Sequence, residues 1–445
     1  MCYSATFPVD STRSVDVPIN REYMIAIIGA GQRGNAYARY ATVCPDKCKV
    51  VAIAEPRPNT RKNMVCTHNI SKEMVFHTWE DFIAASRLVV ATQDKMHAPA
   101  VHALAEQGYH ILCEKPMATS PEECIRMADD VKRAGKIFGI GHVLRYSPYS
   151  RAIAKIIESK ELGEIVNIVH MEPVGYFHFA HSYVRGNWCQ EGESSFSLMT
   201  KSCHDIDLIC SYLAPFGAVP VRVSSFGSLS HFNKKSKPAT AGDATKCLEC
   251  PLQDKGCPYS AKKIYLEPIS GGMTSWPVSV LTDGKPTRDS VLAALQNGPY
   301  GKCVYESRND VVDHQVVNVE FSRDKLFQLI CERQTRIHFT KGELIGDMRG
   351  EIRTVYDQGN DPVRNHQVEI DADSGHGGGD IGLIAAFIDA VAEGKQEVLG
   401  VDIDDILCSH LTVFAAEKSR REGCVVDVQA YEAQVRAGMA KISIV

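Results

Sequence analysis

The stretch MIAIIGAGQRGNAYARYA, residues 24–41, decides the fold of the first third of the chain. It opens with a continuous apolar run over 24–28, which is typical of a strand buried on both faces of a parallel sheet. Three glycines follow with the spacing G-x-G-x-x-G, before an alanine-rich helix. In such a turn the glycines permit the tight bend, the approach of the backbone to a pyrophosphate, and close packing of helix on strand. The pattern predicts a dinucleotide site formed by Gly29, Ala30, Gly31, Gln32, Arg33 and Gly34.

The next predicted strand, KVVAIAEP at residues 49–56, ends in an acidic side chain. Glu55 lies 21 residues after Gly34, where a carboxylate accepts hydrogen bonds from the adenosine ribose hydroxyls and repels a 2′-phosphate. This position favours NAD over NADP. Arg57 and Arg61 follow closely and keep NADP possible. A glycine turn in an unrelated α/β protein is the alternative interpretation.

Strands and helices continue to alternate up to residue 144, which predicts a doubly wound parallel sheet. The further strands are RLVVATQ (87–93), YHILCEKP (109–116) and IFGIGHV (137–143), with helices beginning near His97 and Ser120. Ligands bind such sheets at the carboxyl ends of the strands. Around the cofactor we therefore expect Glu55, Thr92, Gln93, His97, Glu114 and Lys115, and beside the substrate His142.

A lysine in the strand-end sequence EKP is unusual, because a charge is costly in a core and useful in a cleft. Lys115 lies where a nicotinamide and its substrate would meet. The alternative is a Glu114–Lys115 pair that merely ends a strand at the surface.

The G-x-G-x-x-G turn, the strand-end EKP and a later helix carrying a histidine together resemble the Gfo/Idh/MocA family, named for glucose–fructose oxidoreductase and inositol dehydrogenase. The resemblance implies a Rossmann domain at 24–144, after an N-terminal arm at 1–23. It also implies an α/β domain at 145–445 with a large, open, mostly antiparallel sheet. Most members are NAD(P)-dependent sugar or cyclitol dehydrogenases, and many are homo-oligomers, so a dimer or tetramer is expected. The resemblance makes Lys115 the catalytic-site lysine, held by Glu114, which also contacts the nicotinamide ribose.

The first half of the second domain is dense in polar rings between residues 176 and 188. Sugars are bound by aromatic platforms and many hydrogen-bonding groups, so this mixture would suit a polyol. An ordinary surface loop is the alternative. The substrate-binding residues expected in this domain are Arg145, Tyr176, His178, Arg185, Trp188, Lys201, His204 and His376.

The sequence TKSCHDIDLICSYL, residues 200–213, predicts a helix on which Thr200, Lys201, His204 and Asp207 share a face. A histidine aimed at a hydroxyl is a plausible general base, although a lone histidine is often a core residue. His204 matches the helix histidine of the family. Many family dehydrogenases place an aspartate four residues earlier, where this chain has Thr200. With Lys201 beside it, this departure favours an anionic oxygen and puts a simple Asp–His–Lys mechanism in doubt.

The 16 cysteines fit free, mostly buried thiols better than a disulfide framework. Cys247, Cys250 and Cys257 have the C-x-x-C spacing of half a zinc site, and Cys303 or His231 would complete it. Buried thiols or a redox-sensitive pair are favoured over zinc, so no metal is predicted. Residues 232–305, rich in Pro, Gly and Lys, are predicted to form an insertion loop, as a lid or an interface arm.

Composition excludes other classes of protein. The net charge of −5 and pI near 6.4 argue against nucleic acid as a partner. No apolar run approaches the roughly 18 residues of a membrane helix, and the polar N-terminus lacks the apolar region typical of a signal peptide, so a cytoplasmic location is expected. The first functional hypothesis is NAD-dependent oxidation of a secondary alcohol of a sugar, sugar acid or cyclitol. The alternatives are an NAD-dependent glycosidase that works by transient oxidation, and a non-catalytic cofactor-binding protein.

Overall fold

The computed structural model describes residues 22–85, 93–322, 325–329, 333–356, 363–370 and 375–442. The first third forms a Rossmann domain, as predicted, in which β1–β2–β3 and β4–β5 are parallel. Most of the predicted arm, and the predicted strand 87–93 except Gln93, lie outside the described residues. The strands are β1 Tyr23–Ile28, β2 Cys48–Ala54, β3 Val75–Phe76, β4 Ile111–Cys113 and β5 Phe138–Ile140. The helices are α1 Gln32–Val43, α2 Pro58–His68, α3 Trp79–Ala85, α4 His97–Glu106 and α5 Pro121–Ala134.

Local sequence explains these boundaries. Ile25 to Ile28 are buried, as expected for a strand covered on both faces. The Ser120 hydroxyl caps α5 by accepting a hydrogen bond from the Glu123 N–H, and Pro121 occupies the first helical position. Gly135, with φ +61°, ends the same helix in the left-handed conformation that glycine adopts most easily.

The second domain is built on one nine-stranded sheet with the order β13-β12-β11-β10-β6-β9-β8-β7-β14. Only β6 and β9 pair in parallel, so the predicted open and mostly antiparallel sheet is confirmed. Its strands are β6 Ile165–Met171, β7 Pro220–Ser228, β8 His314–Phe321, β9 Lys325–Leu329, β10 Gln334–Phe339, β11 Gly342–Asp347, β12 Glu351–Tyr356, β13 Val363–Gln367 and β14 Val426–Asp427.

The last three helices of the second domain also pack against the Rossmann domain. The helices of the second domain are α6 Pro148–Ser159, α7 Tyr176–Phe179, α8 Cys203–Leu213, α9 Glu267–Ser270, α10 Arg288–Asn297, α11 Gly379–Glu393, α12 Ile403–Glu422 and α13 Val428–Ile442. α11 packs against α1, and α12 packs against α5. One hydrophobic core therefore extends from Ile25 to the C-terminal helices. The Gln396 side chain stabilises this packing, because it accepts a hydrogen bond from the Phe138 N–H and donates one to the Phe138 carbonyl oxygen. The two domains therefore share one core.

The segment 232–305 is more than the predicted loop. It contains α9, α10 and several short helical turns around a hydrophobic cluster of its own, which includes Tyr265, Val278, Val291 and Leu295. The spacing of these apolar residues did not stand out among the surrounding Pro, Gly and Lys. We call residues 232–305 the insertion.

No helix in the described part of the chain is long and apolar enough to cross a membrane. The cysteines of the described residues are free, and most of them are buried.

Candidate active site

The glycine turn after β1 has the geometry that a dinucleotide phosphate requires. Gly29 has φ +90°, and Gly31 is the N-cap of α1. A Cβ at Gly34 would lie 1.9 Å from the carbonyl oxygen of Gly29, so only glycine allows helix and strand to meet here. The start of α1 thus has the close helix–strand packing of a dinucleotide-binding turn.

Glu55 lies at the end of β2 beside this turn. Its buried carboxylate accepts hydrogen bonds from the Ala30 N–H at 2.8 Å and from Nε of Arg57 at 2.8 Å. Burial alone raises the pKa of Glu55, but these donors hold it below its ordinary value. The Arg57 guanidinium lies 3.8 Å from where a Cβ on Gly31 would be. A carboxylate and a guanidinium thus share the adenosine end of the site.

The insertion closes over the same end of the Rossmann domain. Ser279 accepts a hydrogen bond from the Gln32 side chain at 2.9 Å. The Asp283 carboxylate accepts from the N–H groups of Asn59 and Thr60 at the start of α2, at 3.0 and 2.9 Å. The insertion therefore contacts both helix N-termini that border the adenosine end.

Glu114, at the end of β4, is the centre of a buried ionic network. Nε of Arg33 donates to its carboxylate at 2.7 Å, and the Tyr37 hydroxyl also donates to it. Arg33 donates in addition to Asp380 at 2.9 Å, which joins the glycine turn to the start of α11. Burial raises the pKa of Glu114, and the charges of Arg33 and then Lys115 outweigh that effect and lower it. Glu114 is therefore a fixed carboxylate beside Lys115.

Lys115 follows Glu114 and reaches across the cleft to the second domain. Its Nζ donates to the carbonyl oxygen of Thr200 at 2.7 Å and lies 5.2 Å from the centre of the Trp188 ring. Among the described residues, no carboxylate lies within salt-bridge distance of this ammonium. The peptide bond before Pro116 is cis. Lys115 thus offers a positive charge to the cleft without an ionic partner of its own.

His204, in the first turn of α8, is buried at 4% exposure. Burial, and next the charge of Lys115, lower its pKa well below the ordinary value, so the imidazole is neutral near pH 7. Its Nδ1 is buried without a hydrogen-bond partner. The ring centre lies 5.8 Å from that of His142 and 5.9 Å from that of His376. Three predicted site histidines therefore meet at one point.

His142 connects His204 to a carboxylate. Its Nδ1 lies 2.9 Å from Oδ1 of Asp207, while its Nε2 is buried without a partner. Arg145 holds the same aspartate with two hydrogen bonds, and His410 stacks on His142 with ring centres 5.0 Å apart. Burial raises the pKa of Asp207, but Arg145 and then His142 lower it further than burial raises it. The carboxylate near His204 thus acts through a second histidine.

A second ionic group lies where α8 meets the large sheet. Nζ of Lys201 is 3.3 Å from Glu172, and Arg333 pairs with both Glu172 and Asp205. Asp205 is also 3.1 Å from Nε2 of His170. Burial lowers the pKa of Lys201. Here two cations face two carboxylates, and the nearby Lys115 makes this side of the cleft positive.

Aromatic rings from the insertion form the opposite wall. Trp276 contacts His178 and His181, with ring centres 4.8 and 5.2 Å apart. His181 also stacks on Tyr300 at 4.9 Å. Burial, followed by the charges of Lys201 and Arg185 respectively, lowers the pKa of His178 to about 3 and of His181 to about 4. Both imidazoles are neutral hydrogen-bonding groups at neutral pH.

Several predicted site residues lie elsewhere. The guanidinium of Arg145 is occupied by Asp207, and that of Arg185 by Lys302, Cys247 and Tyr259 in the insertion, so neither points at a substrate. Tyr176 is 60% exposed, against Phe177 and Tyr259. His97 is buried and forms a hydrogen bond with the Pro116 carbonyl, so it supports the conformation of the EKP turn. Gln93 is exposed, and Thr92 lies outside the described residues.

Other residues of the site went unpredicted. Arg333 and Glu172 lie in β-rich sequence without a motif, and their pairing appears only when β6 and β10 become neighbours. Trp276 lies in the insertion, where the tryptophan itself was the one sequence signal of a site residue. Thr200 and Lys201 belong to a π-helical turn, Leu198–Ser202, before α8. This turn changes the predicted face, so that Lys201 points to Glu172 while the Thr200 carbonyl faces Lys115.

No group of three or more His, Cys, Asp or Glu side chains, within the described ranges, is placed to hold a metal ion with its side chains as they stand.

Comparisons with known proteins agree with this fold. Residues 23–142 match the model of an oxidoreductase family with an NAD-binding Rossmann fold, GFO_IDH_MocA. Levoglucosan dehydrogenase, solved with NADH and levoglucosan, superposes with a TM-score of 0.66 and 19% identity, covering 92% of this chain and 100% of that one. An oxidoreductase from Agrobacterium radiobacter, solved with NAD+, L-tartaric acid and magnesium, gives a TM-score of 0.65 at 13% identity, covering 92% and 99%. At these identities the likeness shows the fold.

Two curated relatives match part of the chain. The 2,7-anhydro-N-acetylneuraminate hydratase of Escherichia coli (strain K12) is 27% identical over 212 residues, 46% of this chain and 53% of that protein. Inositol 2-dehydrogenase of Burkholderia vietnamiensis is 26% identical over 143 residues, 31% of this chain and 42% of that protein. The chain thus spans about half the length of the curated relatives it matches. Residues 23–142 therefore resemble the NAD-binding Rossmann domain of the Gfo/Idh/MocA oxidoreductases, and the whole chain shares the fold of the solved structures.

Proposed function

We propose that this chain is an NAD-dependent oxidoreductase that oxidises a secondary alcohol of a sugar, sugar acid or cyclitol. One observation carries the proposal: Lys115 and His204, from different domains, lie near each other at the carboxyl ends of the Rossmann strands. One supplies an ammonium without an ionic partner and the other a buried, neutral imidazole. An acid–base pair of this kind removes a hydroxyl proton and stabilises the charge left on the oxygen.

The residues around the turn fit a dinucleotide, because Gly29 takes the positive φ of the tight turn and Gly34 allows α1 to pack closely on β1. When bound, NAD supplies the acceptor for the two electrons and the hydrogen that leave the carbinol carbon. His204 takes the hydroxyl proton. Lys115 donates a hydrogen bond to the same oxygen as negative charge develops. Arg33 keeps Glu114 ionised, and Glu114 accepts the Lys115 backbone N–H at 3.0 Å, so the lysine is held in place.

Thr200 stands where many family dehydrogenases have an aspartate, and it does not replace that group. Its hydroxyl donates to the carbonyl oxygens of Phe196 and Ser197, each at 3.3 Å. We assign the missing carboxylate's role in part to Asp207, which orients His142 beside the His204 ring. Since the carboxylate does not touch His204, it raises the proton affinity of that base less than a direct contact would.

The positive charge of the cleft favours a substrate that carries a carboxylate. Lys115, Lys201 and Arg333 bring three cations to the region of His204 and His178, and each affects the pKa of His178. Glu172 and Asp205 form ion pairs with Lys201 and Arg333, whereas Lys115 makes no ion pair among the described residues. We therefore favour a sugar acid over a neutral sugar or cyclitol.

The Lys201→Met variant tests this preference. We expect its KM for a sugar-acid substrate to rise about 10- to 100-fold, the loss typical of one hydrogen bond to a charged group. KM for a neutral polyol should change less than about threefold by the same reasoning. Glu172 keeps Arg333 as its partner, so the fold is expected to persist. Equal changes for both substrates would show that Lys201 has only a structural role.

The adenosine end favours NAD, with NADP possible. Glu55 repels a 2′-phosphate, and the Arg57 charge that would attract one is already paired with Glu55 at 2.8 Å. Asp283 adds a second carboxylate at the N-terminus of α2.

In Glu55→Gln the repulsion disappears and Arg57 becomes available to a phosphate. We expect the ratio of kcat/KM for NAD to that for NADP to fall about tenfold or more, since tenfold corresponds to about 1.4 kcal/mol. Glu73→Gln, an exposed acid on the same domain, is the matched control. An unchanged ratio in Glu55→Gln would mean that Glu55 does not set cofactor preference.

A redox-neutral glycosidase or lyase of the same family type is the second candidate. Two observations favour it: Thr200 replaces the expected aspartate, and the E. coli relative is named a hydratase of an anhydro sugar acid. The same lysine and histidine would then oxidise a ring hydroxyl only transiently, with the cofactor reduced and reoxidised in each turnover.

A screen with two readouts distinguishes the candidates. Purified protein is mixed with sugars, sugar acids, cyclitols, aryl glycosides and anhydro sugars, each with NAD or NADP. Accumulation of reduced cofactor with a free polyol would support the dehydrogenase, and cleavage or hydration without net reduction would support the second candidate. Tight NAD binding with no turnover on any member would favour a non-catalytic protein.

We also propose a homo-oligomer, a dimer or tetramer, formed through the open face of the nine-stranded sheet. Along β10 and β12 buried residues alternate with exposed ones such as Arg336 and Arg353. Light scattering at several concentrations measures the mass, and a monomer throughout would contradict this proposal.

A further inference from the structure

Four cysteines of the insertion come together around one cavity. Cys247, Cys250, Cys257 and Cys303 line it together with Arg185. The first three lie in one loop with the spacing C-x-x-C followed by a cysteine before Pro258. The fourth is brought to them by the fold: a bridge joins Lys246 to Lys302, and the Cys303 N–H donates to the Thr245 carbonyl at 2.8 Å. His231, the other side chain considered as a fourth ligand, instead bonds to the Tyr259 hydroxyl.

We propose that these four cysteines bind one structural Zn²⁺ as thiolates. Soft sulfur ligands in fours are typical of structural zinc, which takes a closed tetrahedral set. Each thiol releases its proton to solvent as the sulfur binds the metal. This zinc site does not depend on which reaction the chain catalyses.

Backbone groups in this loop already point at the sulfurs. The Leu252 N–H donates to Sγ of Cys250 at 3.5 Å. The same offset of two residues recurs where Tyr259 donates to Cys257 and Tyr305 to Cys303. Backbone N–H groups placed in this way donate to the sulfurs of metal-bound cysteines and hold them in position. Three of the four sulfurs are therefore placed in turns suited to thiolates.

Arg185 provides an independent indication of negative charge. Its side chain is buried at 2% exposure, and Nη2 donates to Sγ of Cys247 at 3.0 Å. Its remaining bonds go to the carbonyls of Lys302 and Tyr259, and Nη1 is buried without a partner. Among the described residues no carboxylate pairs with it. A buried guanidinium needs an anion, and four thiolates around Zn²⁺ carry a net charge of about −2.

The sulfurs are not in ligand geometry with the side chains as they stand. Closing the set requires rotation of cysteine side chains between staggered positions, and these short side chains have one torsion to adjust. A disulfide is the competing use of two of these thiols. It would need an oxidant, and it would leave Arg185 without a compensating anion.

A zinc ion here would hold the wall of the active site in place. Arg185 ends the π-helical segment Ala180–Arg185, which also carries His181. The insertion that supplies the cysteines also supplies Trp276, which packs on His178 and His181. The metal would therefore link the insertion to the segment Ala180–Arg185, at a site separate from Lys115 and His204.

Metal analysis of the full chain tests the proposal. Protein purified under reducing conditions without added metal should contain about one zinc per chain by plasma mass spectrometry. Cys257→Ser and Cys303→Ser should each lower that ratio at least about tenfold, as expected when one of four ligands is lost. Cys66→Ser, an exposed cysteine outside the cavity, is the matched control and should keep the metal.

Cobalt substitution reports the ligands without any variant. Protein produced with Co²⁺ should show the strong visible bands of tetrahedral cobalt and a sulfur-to-cobalt charge-transfer band. Folded wild-type protein without stoichiometric metal, full zinc in Cys303→Ser, or iron in place of zinc would each overturn the proposal. If the serine variants do not fold, the zinc content and cobalt spectrum of the wild-type chain decide the question.

Discussion

The Lys115→Met variant is expected to lower kcat about 10²- to 10³-fold, the loss typical of removing one donor to a developing oxyanion. Lys115 is the ammonium that we propose bonds to the reacting oxygen, and its only described polar acceptor at Nζ is the Thr200 carbonyl, at 2.7 Å. Methionine keeps an apolar stem against the Trp188 ring, 5.2 Å from Nζ, and deletes the charge. Turnover is measured on the substrate found by the two-readout screen.

The position of Lys115 also predicts which properties persist in this variant. NAD affinity, measured by titration of protein fluorescence, should change less than about threefold, because the phosphates meet backbone groups of the glycine turn rather than this lysine. Lys47→Met, which removes an exposed ammonium 3.2 Å from Asp389, is the matched control and should leave kcat unchanged. Near-normal kcat in Lys115→Met would reject the role of this lysine in chemistry.

The fold was predictable because its signals are local. The glycine spacing, the apolar run before it and the capping residues of α5 each act within a few residues of sequence, and the structure has the strand, turn and helix where these patterns place them. In the large sheet, β10 and β11 alternate buried residues with more exposed ones, since side chains of a strand face opposite sides in turn.

The site was less predictable because its partners are distant in the chain. Lys115 and His204 were identified by resemblance to a family, whereas the Thr200 carbonyl that meets Lys115 is 85 residues away. Arg145 and Arg185 were expected to bind substrate because arginines near polar rings suit that role. In the structure the Arg145 guanidinium pairs with Asp207, and the Arg185 guanidinium donates to Cys247 in the cysteine cavity. The spacing of residues along the chain does not show which anion a buried arginine will pair with in the folded protein.

One departure from expectation changes the chemistry. The predicted helical face assumed one regular α-helix from Thr200, but the π-helical turn Leu198–Ser202 widens the backbone before α8 begins. The Lys115 partner in this turn is therefore a carbonyl oxygen instead of a carboxylate. His204 in turn receives the influence of Asp207 only through His142. A base with so weak an acidic partner keeps the low proton affinity that burial gives it.

The His204→Gln variant is expected to lower kcat about 10²- to 10⁴-fold, the range for loss of a general base. Glutamine preserves polarity near His142 and His376 but cannot take a proton at neutral pH. His77→Gln, at an exposed histidine, is the matched control. Because burial and Lys115 hold the pKa of His204 well below its ordinary value, wild-type kcat/KM should fall only at pH values well below about 6.5.

The direction of this pH effect follows from the same shift. The imidazole must be neutral to act as a base, so activity is lost as the pH falls through the lowered pKa, and this acidic limb should be absent in His204→Gln. Stability changes in the same sense. The unfolded chain binds a proton at His204 near the ordinary pKa and the folded chain does not. The free energy of unfolding therefore decreases as the pH falls below about 6.5, by up to about 1.4 kcal/mol per unit for this one group.

Denaturant titrations of both proteins across pH 7 to 5 separate this effect from those of His178, His181 and His410, which are also buried with lowered pKa values. Those three histidines are present in both proteins, so only the His204 contribution differs. We expect the slope of the unfolding free energy against pH to be smaller in His204→Gln by up to about one proton. Equal slopes would mean that the pKa of His204 is not lowered in the folded enzyme, and an acidic limb that persists in His204→Gln would mean that another group is the base.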